Sequence, residues 1–152
     1  MPFTDFYRDG QFIDRVEGIL DATWPPDADD RAYTVRHVYT ADDVAAERER
    51  RLALGFDCDF GDERGVHRIG TTPADMAGWQ EVTTLAQARL ARADETPIAI
   101  MSDTGPALVT PTEWMAVLEA AAAFRQPLWA KSFALQAQDP IPADYADDSY
   151  WS

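Results

Sequence analysis

Lysine occurs once in this sequence, at Lys131, cysteine once, at Cys58, and histidine twice, at His37 and His67. A single thiol excludes an internal disulfide and any multi-thiolate metal site. The cations are otherwise arginines; 13 basic side chains face 27 acidic ones, and the formal net charge is −14. A field of that sign repels phosphate backbones and anionic lipid, so no nucleic acid and no membrane is expected as a partner. No run of about 18 apolar residues occurs, so no membrane-spanning helix is expected. The start, MPFTDFYRDG, lacks the basic-then-apolar order of a signal peptide, and the expectation is a soluble protein made in the cytoplasm. The nucleophile elbow GxSxG, the zinc motif HExxH, a phosphate-cradling glycine loop and a dinucleotide fingerprint are all missing.

What is present is enough for a packed core. Apolar residues make up 46% of the 152 and aromatics 11%. A chain of this size buries roughly 68–70% of its unfolded surface. Residues 1–38 read as strands and turns, with Asp9-Gly10 as a hairpin signal between Phe6-Tyr7 and Phe12-Ile13. Pro25-Pro26 with the following DADD reads as a loop, and AYTVRHVY, from Ala32 to Tyr39, as a further strand. Thr40-Ala41-Asp42-Asp43 opens a helix that ends near Gly55, placed for a left-handed residue. That helix is polar around its circumference, which suits a solvent-exposed bridge or a contact with another chain. Its Glu47 to Arg51 run is either a source of inter-subunit ion pairs or a solvated face.

A hairpin followed by a Thr-Pro helix start then appears twice. Thr72-Pro73-Ala74-Asp75 leads a stripe of Met76, Trp79, Val82, Ala86 and Leu90. Thr110-Pro111-Thr112-Glu113 leads Trp114, Val117, Leu118, Ala121 and Phe124, with Pro97–Met101, a turn at Asp103–Pro106 and Ala107–Val109 as the hairpin before it. Pro127 is expected to break or kink this last helix at Arg125-Gln126, which then resumes with Leu128, Trp129, Phe133 and Leu135. The expected fold is α+β: an N-terminal strand-rich segment, a helix, then two β-hairpins each followed by a capped helix, a small antiparallel sheet packing on the helices. The expected segments are 1–38, a domain over 39–138, and an acidic aromatic tail over 139–152.

The residues with chemical potential cluster in FDCDFGDERGVHRIG, residues 56–70. Strand alternation puts Phe56, Cys58 and Phe60 on one face and Asp57 and Asp59 on the other. With residues 61–65 as the loop, Phe60 opposes Val66 and Asp59 opposes His67. Cys58 and His67 are then expected on opposite faces, which forbids a Cys–His nucleophile pair, and no catalytic residue is expected. Asp57 and Asp59 have the spacing of the first two ligands of a calcium loop, but Gly61 occupies the fifth position, Asp62 the sixth, and Arg68 the twelfth, where a glutamate belongs. Asp57, Asp59 and His67 form the remaining candidate for an open divalent site, outweighed by the plain hairpin. His37 stands alone, and the paired acids Asp29-Asp30, Asp42-Asp43 and Asp147-Asp148 sit in a loop, a cap and a tail. No metal or cofactor is expected.

Trp79, Trp114 and Trp129 lie on apolar stripes and read as core. Trp24 and Trp151 have no stripe to join. Ordering the fourteen tail residues DPIPADYADDSYWS costs roughly 14–28 kcal/mol. Burying Ile141, Tyr145, Tyr150 and Trp151 returns roughly 20 kcal/mol. The tail is therefore either a docking peptide or a frayed end.

The segment from about Tyr39 to Ala137 resembles an uncharacterised domain family found near the C-termini of tailed-bacteriophage tail-fibre and tail-assembly proteins. ERERRLALGFDCDFGDERGVHRIG, TTPADMAGWQEVTTL and PIAIMSDTGPALVTPTEWMAVLEAAAAFRQPLWAKSFAL carry the resemblance. It implies a non-enzymatic structural protein of the virion tail, made in the host cytoplasm: a fibre, baseplate or tail-tip accessory. The partners it implies are other tail proteins, in a symmetric homo- or hetero-oligomer. The alternative is a tail-fibre assembly chaperone that leaves before the virion is complete. Phe3, Phe6, Tyr7, Trp24, Tyr145, Tyr150 and Trp151, from the two aromatic-bearing ends, are the expected partner-binding residues.

Overall fold

A computed structural model describes residues 1–20 and 34–152 of the chain. The fold is α+β, with seven strands and three helices among the described residues. In order they are β1 (Phe3–Arg8), β2 (Gln11–Glu17), β3 (Thr34–Val38), α1 (Ala41–Leu52), β4 (Phe56–Asp59), β5 (Val66–Ile69), α2 (Pro73–Leu90), β6 (Ile98–Ser102), β7 (Gly105–Val109) and α3 (Pro111–Gln136). Among the described residues three small antiparallel sheets form instead of one: β2-β1-β3, β4-β5 and β6-β7. The chain divides into two compact units, Met1–Glu47 with Ala130–Ser152, and Arg48–Trp129, so the N-terminal strands and the C-terminal tail share a unit.

In the first unit, Asp9 and Gly10 both take positive φ, 51° and 77°. That is the backbone a tight two-residue hairpin needs, and Asp-Gly supplies it at low steric cost. The central strand β1 buries Thr4, Asp5 and Phe6. The Thr4 hydroxyl donates to the Gly18 carbonyl at 2.7 Å and accepts from the Leu20 N–H at 2.9 Å. Asp5 is held by a two-point ion pair with Arg15 across the strands, at 2.6 and 2.9 Å. That bond pulls its carboxyl below the usual range against the opposing effect of burial. The proposed loop at Pro25-Pro26, and Ala32 and Tyr33 of the expected third strand, lie outside the described residues.

The tail is ordered, ending in a 3-10 turn over Asp148–Tyr150. Trp151 is 4% exposed, and its indole N–H donates to the Tyr145 carbonyl at 2.7 Å. Tyr145 packs against Tyr39 with ring centroids 5.1 Å apart. The Lys131 ammonium reaches the Ser152 carbonyl.

Helix α1 is not polar all round in its setting. Val44, Arg48 and Leu52 are buried at steps of four, as are Asp43 and Glu47. Charged residues are turned inward, which sequence polarity alone does not reveal. The Arg48 guanidinium stacks 3.7 Å from the centre of the half-buried Trp129 ring and pairs with Glu49 at 2.8 Å.

The second unit has a core of Phe56, Ile69, Ala86, Ile98, Val109, Trp114, Val117 and Ala121. Both of its helices start on reciprocal caps. Thr72 and Asp75 form a complete capping box ahead of α2. At α3, the Thr110 N–H donates to Glu113 Oε2 at 2.8 Å and the Glu113 N–H to Thr110 Oγ1 at 3.2 Å. Each box satisfies donors that a helix start would leave orphaned. Helix α3 runs unbroken through Pro127, so the expected break does not occur. One lost backbone bond in a 26-residue helix is outweighed where the helix buries Ala121 before the proline and Leu128 and Leu135 after it. Phe133, expected on the resumed stripe, is exposed.

Candidate functional site

The β4-β5 hairpin has a different register from the expected one. Phe56 pairs with Ile69, Asp57 with Arg68, Cys58 with His67 and Asp59 with Val66. The turn is longer than residues 61–65: the Phe60 N–H closes it onto the Gly65 carbonyl at 3.2 Å, and Phe60 has left the ladder. A shift of one residue moves a whole strand's side chains to the other face. Cys58 and His67 are therefore cross-strand neighbours on one face, with buried Phe56 and Ile69, and the expectation that they point apart is wrong. The ring of His67 meets Phe60 edge-on at 5.7 Å.

Proximity does not activate the thiol. Desolvation, with smaller contributions from Asp59 and Glu113, pushes Cys58 above its ordinary pKa, so it is protonated at neutral pH. His67 Nδ1 lies 2.8 Å from Ser102 Oγ on β6. Ser102 donates to the Gly105 carbonyl at 2.7 Å, which leaves its oxygen to accept from the imidazole N–H. Thr104 Oγ1 takes the Arg68 N–H at 3.1 Å and the Asp103 N–H reaches the Arg68 carbonyl at 2.9 Å. These bonds tie one hairpin to the other. Alkylation of Cys58 at neutral pH is accordingly expected to run slower than for a free cysteine and to reach the free rate on unfolding. Iodoacetamide labelling followed by mass spectrometry checks this; a native rate matching the unfolded one contradicts it.

The acids of the hairpin face away from His67. Asp57 pairs with Arg68 at 3.0 Å, and Asp59 Oδ1 accepts the Gly61 N–H at 2.8 Å. Asp57, Asp59 and His67 thus do not converge, and among the described residues no group of three or more histidine, cysteine or acidic side chains is set to hold a metal ion. His37, on β3, places Nε2 3.2 Å from the Leu20 carbonyl.

Arg64, at the tip of the same loop, carries a dense polar network. Its guanidinium grips Glu113 at two points, 2.6 and 3.0 Å, and Asp62 at 2.5 Å, donates to the Leu108 carbonyl at 2.6 Å, and covers the Phe60 ring at 4.6 Å. The hydrogen bonds from Arg64 hold Glu113 below the ordinary carboxyl range and Asp62 at about 2. Both carboxyls are depressed in the folded chain, so their contribution is complete above the unfolded carboxyl range and is lost as pH falls through the folded values. Unfolding free energy is expected to drop between about pH 5 and pH 2, and Arg64→Ala to flatten that part of the curve. Urea melts across this range decide it; parallel curves for both proteins would contradict the assignment.

The expected partner-binding residues separate into spent and available ones. Phe6 and Trp151 are buried. Phe3 is half-buried with the Arg15 guanidinium 5.7 Å from its ring centre, and Tyr7 meets Phe12 edge-on at 5.9 Å. Tyr145 and Tyr150 are half-buried, and the Tyr150 hydroxyl donates to Asp144 at 3.2 Å. Trp24 lies outside the described residues. Two residues missed as contact candidates stand out: Phe12 and Ile13 on β2 are 56% and 49% exposed. Apolar residues on an Asp-Gly hairpin were the available signal; which of its strands lies at the sheet edge was not.

Polar clusters close the loops, cap the helices and join the hairpins around the apolar core of a small α+β domain. The chain belongs to a family described as a domain of unknown function, DUF4376, whose model matches residues 38–149. No curated protein matches the chain, and no solved structure does.

Proposed function

We propose that the chain is a structural component of a tailed-bacteriophage tail (a fibre, baseplate or tail-tip accessory) that works through protein–protein contacts without catalysis. The observation that supports a contact role is β2. It is an edge strand of seven residues, no described strand pairs with its outer side, and it presents Phe12 and Ile13 to solvent. An exposed apolar edge of that length is a template for strand addition by another chain. The assignment to a tail rests on the resemblance of residues 39–137. The partners are other tail proteins in a symmetric assembly, and the site of action is the virion.

Mass spectrometry of purified virions is expected to find the protein in stoichiometric amount. Recovery only from the lysate of infected cells, never from particles, would reject the structural role and favour a chaperone of fibre assembly.

A further inference from the structure

A groove of about 240 Å³ opens between α2 and β6 in the second unit. Trp79, Trp114 and Met101 form its apolar lining, the two indoles meeting edge to face at 5.6 Å and 82°. Met101, at the rim, is 77% exposed. Pockets for drug-sized ligands run from about 300 Å³ upward, so this one is sized for a single side chain.

Two glycines shape it in opposite ways. A Cβ on Gly78, inside α2, would meet no heavy atom within 4 Å. Packing thus does not require glycine there, although glycine is disfavoured in a helix interior; its effect is to keep the groove open. At Gly70, which lines one end of the groove, a Cβ would lie 2.5 Å from Asp75 Oδ2 and 2.9 Å from Asp103 Oδ1, so Asp75 in the lining and Asp103 just beyond it bring two carboxylates to that end. The bonds from Thr72 to Asp75 all use Oδ2. The Asp103 carboxylate makes no hydrogen bond or ion pair with any described residue.

An aromatic groove with two acids at one end is complementary to a group that is long, apolar along its stem and cationic at its tip. We propose that the groove receives one arginine side chain of a partner protein, the guanidinium lying against an indole and facing Asp75 and Asp103, the stem along Met101. Arginine fits better than lysine because its planar, weakly hydrated head stacks on tryptophan and pairs with two oxygens at once. The net charge of −14 favours the same sign of partner. This assignment rests on the protein-contact reading above and names the chemistry of the partner.

The test is a ¹⁵N NMR titration of the full chain with N-acetyl-arginine methylamide and, separately, with the uncharged norleucine analogue. Saturable shifts of the Trp79 and Trp114 indole N–H signals are expected with the arginine probe, half-saturating in about the millimolar range. Gly78→Met, which fills the groove, is expected to abolish them, and Asp103→Asn, at an exposed site that leaves the fold intact, to weaken them by about tenfold. No saturable shift, equal binding of norleucine, or shifts unchanged in Asp103→Asn would overturn the assignment. A null titration with a chain that copurifies with virions removes the groove and spares the tail role; saturable binding by a chain absent from virions does the reverse.

Discussion

Replacing Trp114 by alanine is expected to lower the unfolding free energy of the chain by about 3–5 kcal/mol. Trp114 is 2% exposed, belongs to the core of the second unit and stands at the first turn of α3. Its ring edge packs on Trp79, and its indole N–H donates to Thr83 Oγ1 on α2 at 2.9 Å. Truncation removes a large apolar surface, leaves a cavity that the two hairpins and two helices cannot fully collapse, and strips a hydroxyl of its donor. Trp114→Phe separates these effects: it keeps most of the ring and loses the hydrogen bond, and a cost of roughly 1–2 kcal/mol is expected. Urea unfolding followed by far-UV circular dichroism measures both. An alanine variant within about 1 kcal/mol of the parent would show that this residue does not anchor the core.

Gly55→Ala is expected to cost about 3 kcal/mol or more, although it adds a single methyl group. Gly55 has φ of +64°, a left-handed conformation that costs an L-residue roughly 1–2 kcal/mol. Its Cβ would also lie 2.4 Å from the Ile69 carbonyl oxygen, a backbone atom that cannot rotate away. The strand start at Phe56 and the Phe56–Ile69 pair would have to shift to admit it. Gly78→Ala is the control, expected to stabilise α2 by about 1 kcal/mol since nothing obstructs its Cβ. Similar melts for the two variants would refute the steric account. A loss at Gly55 with a gain at Gly78 would show that the two glycines are there for different reasons.

The same glycine contrast marks how far the sequence could be read. Gly55 was legible as a helix terminator, because a left-handed residue is wanted after a helix with acids at its start and arginines near its end. Its closeness to Ile69 was not, since that depends on how a hairpin returns fourteen residues later. The two Thr-Pro helix starts were legible for the same local reason: caps, first-turn acids and proline act within four residues of one another. Pro127 misled for want of tertiary context, where burial of Ala121 before it and of Leu128 and Leu135 after it outweighs one missing bond.

The hairpin register shows the limit most clearly. Alternation correctly grouped Phe56 with Cys58 and separated both from Asp57 and Asp59. What alternation cannot supply is which residue of one strand faces which residue of the other; that depends on where the loop closes. Phe60 left the ladder, the loop became one residue longer, and His67 came round beside Cys58. The burial of Asp43, Glu47 and Arg48 was hidden for a related reason, because a charged residue in sequence says nothing of the partner that waits for it.

The sequence by itself determined the fold class, the helix starts, the Asp-Gly hairpin and the aromatic residues available for a core. Those follow from interactions between residues a few positions apart, whose energies depend little on the rest of the chain. Tertiary structure decided the pairing of Cys58 with His67, the inward charges of α1, the docking of Trp151 and the open groove beside Gly78. Each depends on atoms far apart in sequence meeting at a particular distance, and only the folded chain brings them together.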